Sequence, residues 1–318
     1  MSFVNATTLD IALDALAAGA RPVAGGTDLV VGARQGKSPL PDALVAIDRI
    51  HALRSIERAA DGGLTIGALV SHHVLETHHD ITAQYPGLSD GSALVGSPST
   101  RNLGTLGGNV MNASPAMDTG APLQVLGASV ELASAARGRR RVSLSDLWTG
   151  PGRTSAAADE LCVAIHLPAV AARSSSAYVR LEYRRAMEIA VVGAGASVTL
   201  ADDGSVAAVT VSLTAVAPTI LPVTGLDALV GRSVHDVLAA VEAAAADQAV
   251  PITDLRATDR YRRHCVGVMA RRAVDAAARR AGGEHLAIPV NRAIGIGAIG
   301  IGATGIGADR TTSRNGAA

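Results

Sequence analysis

Ala24-Gly25-Gly26-Thr27-Asp28-Leu29 follows directly on Pro22-Val23, and Thr105-Leu106-Gly107-Gly108-Asn109 lies further along the chain. Paired glycines let a backbone come close to a phosphate, and successive N–H groups in such a turn point at its oxygens. Thr27 adds a hydroxyl donor. The first stretch lacks the Gly-x-Gly-x-x-Gly spacing of a dinucleotide fingerprint and the lysine of a P-loop, so neither a Rossmann site nor a triphosphatase follows from it. Taken singly, either stretch reads equally well as a tight turn.

Their surroundings join them. The second stretch extends from Gly96-Ser97-Pro98-Ser99-Thr100-Arg101-Asn102-Leu103-Gly104 to Asn112-Ala113-Ser114-Pro115 and Asp118, again mixing glycines, hydroxyls and amides. Two such loops in adjacent domains would neutralise a diphosphate with backbone dipoles, helped by a helix expected to begin after Pro115. Asp118 is then placed to accept from a ribose or adenine donor.

Outward from the first loop, Thr7 and Asp10 suggest a capping box, and Leu9, Leu13 and Leu16 recur at helical spacing until Gly19. A strand at residues 22–24, a helix at 28–34 and a strand at 43–47 complete a β-α-β unit. A second region starts near Arg58 with a strand at 64–68 and ends near Pro168. Residues 169–176, rich in Ala and Ser, read as a linker. Residues 190–200 and 206–216 flank Asp202-Asp203-Gly204-Ser205 as a hairpin. Helices follow at 234–246 and 258–281, the latter expected to align Tyr261, Cys265, Val268 and Arg272. Strands followed by helices indicate an α+β domain. From Asn291 the chain turns into Ile-Gly-Ala repeats, which glycine entropy favours as a poorly ordered tail.

Composition narrows the function. The 28 basic and 28 acidic side chains cancel, so no global field draws in nucleic acid or an anionic membrane. Two cysteines, Cys162 and Cys265, are too few for a four-cysteine cluster, a structural zinc or a disulfide framework, and suit a reducing cytoplasm. No segment offers the roughly 20 apolar residues of a membrane span, and no secretory signal opens the chain. Aromatics make up 2% of the sequence, so a bound ring is expected to pack on aliphatic side chains. His72-His73 and His78-His79 lack companion ligands and read as a solvated helix face rather than a metal site. The arginine run at 137–141 reads as a solvated face, and Cys162 as a packing residue.

The residues now assembled resemble the FAD-binding subunit of the xanthine dehydrogenase and aerobic carbon monoxide dehydrogenase family of molybdenum hydroxylases. The likeness runs to about Gly283. It rests on the two loops, Ala113-Ser114-Pro115 with Asp118, Asp159-Glu160-Leu161 through Ile165-His166-Leu167-Pro168, and Arg184-Arg185-Ala186-Met187-Glu188-Ile189-Ala190. Ala215-Val216-Ala217-Pro218-Thr219, Asp254-Leu255-Arg256-Ala257 and Tyr261-Arg262-Arg263 complete it.

The resemblance implies an α+β protein: a two-subdomain FAD-binding fold of the vanillyl-alcohol oxidase (PCMH) type at 1–57 and 58–173, a C-terminal α+β domain at 174–284, and a disordered tail at 285–318. It implies FAD held by Val23, Ala24, Gly25, Gly26, Thr27, Asp28 and Leu29 and by Thr105, Leu106, Gly107, Gly108 and Asn109. Asp118 is implied at the ribose or adenine end, Leu161 and Cys162 beside the isoalloxazine, and Arg180 at its polar edge. Val95 stands where some relatives have an aromatic residue, and Arg180 where some have lysine, which leaves flavin potential and acceptor choice open.

The implied role is electron transfer within an oxidoreductase. Substrate is oxidised at a molybdenum cofactor on a large subunit, electrons pass through [2Fe-2S] clusters on a small subunit, and this flavin delivers them to NAD, quinone or oxygen. The expected assembly is a dimer of heterotrimers. No catalytic side chain and no metal ligand is expected on this chain. The rivals are a stand-alone flavin oxidase and a non-catalytic scaffold that has lost FAD.

Overall fold

The computed structural model describes residues 2–36 and 39–293 and folds them around three sheets, each with its own core. The first sheet is parallel, in the order β1-β3-β2, from β1 (Ser2–Asn5), β2 (Arg21–Val23) and β3 (Ala43–Ala46). A helix at Leu9–Ala17 bridges β1 and β2. Its hydroxyl cap is Thr8, which accepts from the Ile11 N–H, and not Thr7 as the capping-box spacing suggests. The chain also opens with a strand rather than a helix. β1 is a short edge whose four residues are all exposed, so it carries no burial pattern to read.

β4 (Ile56–Arg58), β5 (Leu64–Gly67), β6 (Ser129–Ser134) and β7 (Gly138–Ser143) form the second sheet with a strand from beyond the small hairpin of β8 (Trp148–Gly150) and β9 (Arg153–Thr154). That strand, β10 (Leu161–Leu167), sits at the centre of the antiparallel order β4-β5-β10-β6-β7. β4 spans the 57/58 boundary expected from the sequence and pairs with β5, so the first subdomain ends before Ile56. Helices between β5 and β6 carry the second loop.

The third sheet runs in chain order through β11 (Ser174–Leu181), β12 (Val192–Leu200), β13 (Val206–Thr214) and β14 (Leu221–Pro222). Helices Val234–Gln248 and Asp259–Ala281, capped by Ser233 and Thr258, cover one face. Helices Pro86–Leu94 and Gly120–Val125 of the second domain cover the other. The buried stripe of Asp259–Ala281 runs through Cys265, Val266, Met269, Ala270, Ala273 and Val274. Tyr261, one turn before Cys265 and in contact with it, sits at the exposed edge of this stripe, whereas Arg272 lies off it: the expected face holds at Tyr261 and Cys265 and is corrected at Arg272.

The expected tail also starts too early at residue 285. Leu286, Val290 and Asn291 are buried; the Val290 N–H donates to Asp90 Oδ1 at 2.9 Å, and Asn291 exchanges two hydrogen bonds with the Arg180 backbone. The Ile-Gly-Ala repeats from residue 294 lie outside the described residues. Among those described, no helix is long and apolar enough to cross a membrane.

Candidate functional site

Val23 closes β2, and the chain then turns through Ala24, Gly25, Gly26, Thr27 and Asp28 into a helix at Leu29–Arg34. Gly26 has φ +68°, a left-handed conformation that a side chain resists. Gly25 serves a different need: a Cβ there would lie 1.9 Å from the Leu103 carbonyl oxygen, so only glycine lets this turn seat on the end of helix Pro98–Leu103. Among the described residues, the backbone N–H groups of Gly25, Gly26, Thr27 and Asp28 find no acceptor within the chain. Four successive unspent donors at a strand-to-helix turn form a concave cradle for an anion.

The second stretch is not a loop of the same kind. Thr105 is the N-cap of a helix at Leu106–Asn112, its hydroxyl accepting from the Gly108 N–H at 3.1 Å. The Leu106 and Gly107 N–H groups donate to the Val70 and Ala68 carbonyls, and that of Asn109 to Thr105. The backbone donors of Leu106 to Asn109 are therefore already taken, and only the Thr105 N–H has no acceptor among the described residues. Gly107 is glycine because a Cβ would sit 2.6 Å from that of Ala68. What this element offers a ligand is the Asn109 amide: its Oδ1 accepts from the Thr119 hydroxyl at 2.6 Å, while Nδ2 has no partner among the described residues. The helix expected after Pro115 begins at Gly120 and packs against β12 and β13 of the third sheet.

Between the two elements lies a cavity of about 190 Å³ lined by Ala24, Gly25, Arg54, Ser71, Leu103 and Thr105 among others. It suits one portion of a dinucleotide rather than the whole, since sites for drug-sized ligands run to about 300–1,000 Å³. His72, read from sequence as part of a solvated face, is 1% exposed. Its backbone N–H donates to the Gly104 carbonyl, and a Cβ added at Gly104 would meet its ring at 3.3 Å. Burial, then the Arg101 charge, lowers its pKa to about 4.

Asp118 and Arg180, assigned from sequence to opposite ends of a flavin, meet in one buried cluster. Arg180 Nη1 donates to Asp118 Oδ2 at 2.6 Å, Arg180 Nε to Glu182 Oε2 at 2.8 Å, and the Tyr178 hydroxyl to Asp118 Oδ1 at 2.9 Å. Arg180 is 0% exposed. The two side chains therefore lie at one place in the fold, hydrogen-bonded to each other, rather than apart. Burial raises the Asp118 pKa against the opposing pull of Arg180. Tyr178 and Glu182 escaped sequence reasoning, although Tyr178-x-Arg180-x-Glu182 has the period-two spacing of one strand face.

Leu161 and Cys162 point to opposite sides of β10, as adjacent strand residues must. Leu161 packs in the first core, to which Ala24 also belongs, and Cys162 in the second. Only Leu161 thus shares a cluster with the cradle. Burial, then Glu131, pushes the Cys162 thiol up to about 12, which leaves it a packing residue and not a nucleophile. Val95 ends helix Pro86–Leu94, half-buried, its carbonyl accepting from Arg101. The arginine run is paired rather than merely solvated: Arg137 with Asp159, Arg139 with Glu131 and Arg140 with Glu160.

Residues 1–170 match the family model of the FAD binding domain in molybdopterin dehydrogenase, and residues 156–277 that of the CO dehydrogenase flavoprotein C-terminal domain. The nicotinate dehydrogenase FAD-subunit of Eubacterium barkeri is 35% identical over 185 residues, 57% of this chain and 62% of that one. The carbon monoxide dehydrogenase medium chain of Afipia carboxidovorans is 33% identical over 264 residues, 82% of this chain and 90% of that one. The solved carbon monoxide dehydrogenase from Hydrogenophaga pseudoflava that lacks the Mo-pyranopterin moiety aligns with a TM-score of 0.83 at 28% identity, covering 88% of this chain and 98% of the matched chain.

Proposed function

For a chain that belongs to the FAD-binding family of molybdopterin dehydrogenases, we propose the role of flavoprotein subunit in a multi-subunit oxidoreductase, with FAD as its own cofactor. The observation that carries this reading is the row of unspent N–H donors at Gly25, Gly26, Thr27 and Asp28, pressed against Leu103 by a glycine no larger residue can replace. A diphosphate supplies the acceptors those donors lack. The Asn109 Nδ2, without a partner among the described residues, offers a further donor to a ribityl chain or ring edge. These features fit FAD, and they also fit the departure from a lysine-based phosphate site.

Bound FAD takes up electrons singly and releases them singly or in pairs. The chain contributes position, a water-poor setting and charge. Val23, the residues of the cradle, Leu29, Val95, Thr105 to Asn109 and Leu161 hold the cofactor, while Asp118 and Arg180 meet the same portion of it. Electrons reach it from [2Fe-2S] clusters on a small partner chain, themselves fed from a molybdenum cofactor on a large one, and leave to NAD, quinone or oxygen. A dimer of heterotrimers in the cytoplasm is the assembly we assign. Purifying the native complex and recording flavin, iron–sulfur and molybdenum together tests this: all three are expected, and absence of both metal centres would overturn the partner assignment.

A further inference from the structure

Arg54 ends a short 3-10 turn at His51–Arg54, and the fold leaves its backbone little freedom. Ile50 and Leu53 anchor the turn in the first core. The Leu53 carbonyl accepts from the Leu69 N–H at 2.8 Å and the Ser55 carbonyl from the Gly67 N–H at 2.8 Å, so residue 54 is clamped from both sides. Gly67 is glycine for this contact, since a Cβ there would lie 2.3 Å from the Leu53 oxygen. Arg54 is thereby held at the cavity that Ala24, Gly25, Ser71, Leu103 and Thr105 also line.

Its guanidinium is largely uncommitted. Nη2 donates to the Asp48 carbonyl at 2.7 Å, and among the described residues Nη1 and Nε have no acceptor and no carboxylate pairs with the charge. Arg137, Arg139 and Arg140, by contrast, each sit on a carboxylate. Asp48 lines the same cavity, so without Arg54 the charged side chains there would only repel an anion. The other uncommitted groups of the lining residues include the N–H of Gly25, the N–H of Thr105 and the Ser71 hydroxyl, whose oxygen accepts from the Val74 N–H while its hydrogen has no acceptor among the described residues. Backbone donors carry partial charges, whereas each phosphate of a diphosphate carries a full negative one. A guanidinium supplies the matching full charge and can meet two phosphate oxygens with parallel N–H bonds.

We propose that Arg54 is a phosphate-binding residue of the FAD site, its guanidinium pairing with the diphosphate in the cavity between the cradle and Thr105. The proposal rests on the reading that the cradle holds that diphosphate. The bond to the Asp48 carbonyl keeps the fork at the cavity wall and leaves Nη1 and Nε to donate.

The test titrates flavin-stripped, full-length wild type, Arg54→Gln and Arg54→Lys with FAD at several salt concentrations, read by fluorescence quenching. Arg54→Gln should weaken FAD binding by about tenfold or more, the order of one lost charged hydrogen bond. Arg54→Lys keeps the charge but not the fork and should lose only about threefold. Affinity should fall with salt in wild type and Arg54→Lys and more gently in Arg54→Gln, because an exposed charge pair is screened. Arg54 is exposed, so flavin-free melting curves of all three should overlay. FAD binding by Arg54→Gln within about twofold of wild type, or an equal loss in both variants with unchanged salt dependence, overturns the proposal and leaves the FAD reading standing. A wild-type chain that does not quench FAD overturns that reading and the proposal with it.

Discussion

At Gly25, one missing methyl group decides whether two parts of the chain can touch, because a Cβ would lie 1.9 Å from the Leu103 carbonyl oxygen. Backbone cannot yield as a flexible side chain would, so Gly25→Ala must lift the cradle off Leu103. We expect the purified variant to lose its flavin absorbance and about 1–3 kcal/mol of stability, the usual cost of overpacking. His72 gives a second prediction. Burial and Arg101 hold its folded pKa at about 4 against an ordinary 6.5. Between those values the unfolded chain binds a proton that the folded chain does not, so stability falls as pH drops through the window and levels off below it. The contribution is on the order of 3 kcal/mol. Thermal melts of His72→Gln from pH 7 to 4 should decline less steeply than those of wild type; identical slopes would refute the assignment.

Elements, more than single residues, show what could be read in advance. β2, β3, β12, β13 and the two long C-terminal helices follow from apolar runs, turn residues and helical spacing, and the structure has them within a few residues. β11 was hidden because Ser174, Ser175 and Ser176 look like linker, yet all are held by pairing with β12. The Thr105 element could not be told from a loop, since Gly107 is selected for contact with Ala68, a residue distant in sequence, and not for backbone freedom. For the same reason the meeting of Asp118 with Arg180 was illegible: it depends on how two domains dock. Loss of the Thr105 hydroxyl in Thr105→Val should cost about 1 kcal/mol, the worth of a helix cap, readable by urea denaturation. The motif residues Asp254 and Arg262 do mechanical work. Arg262 is 4% exposed and donates to Asp254 Oδ1 at 2.6 Å and to the Ala215 carbonyl at 3.1 Å. Asp254→Ala removes one of the two partners of that buried cation and should cost about 1–3 kcal/mol in the same assay.

On the scale of the whole molecule, the first two sheet units meet at the candidate site, the cradle facing Ser71, Leu103 and Thr105 across one cavity, while the Asp118–Arg180 pair joins the second unit to the third. A buried ion pair between Asp90 and Arg280, at 2.7 Å, ties the second domain to the last long helix. Flavin binding should therefore stabilise the folded chain as one body, raising the melting temperature with FAD concentration as linkage requires. The most direct test is a titration of the flavin-stripped full-length chain with FAD, followed by fluorescence quenching. Our account predicts saturation at one FAD per chain, with binding lost in Gly25→Ala; a wild-type chain that stays colourless and leaves FAD fluorescence unquenched would contradict it.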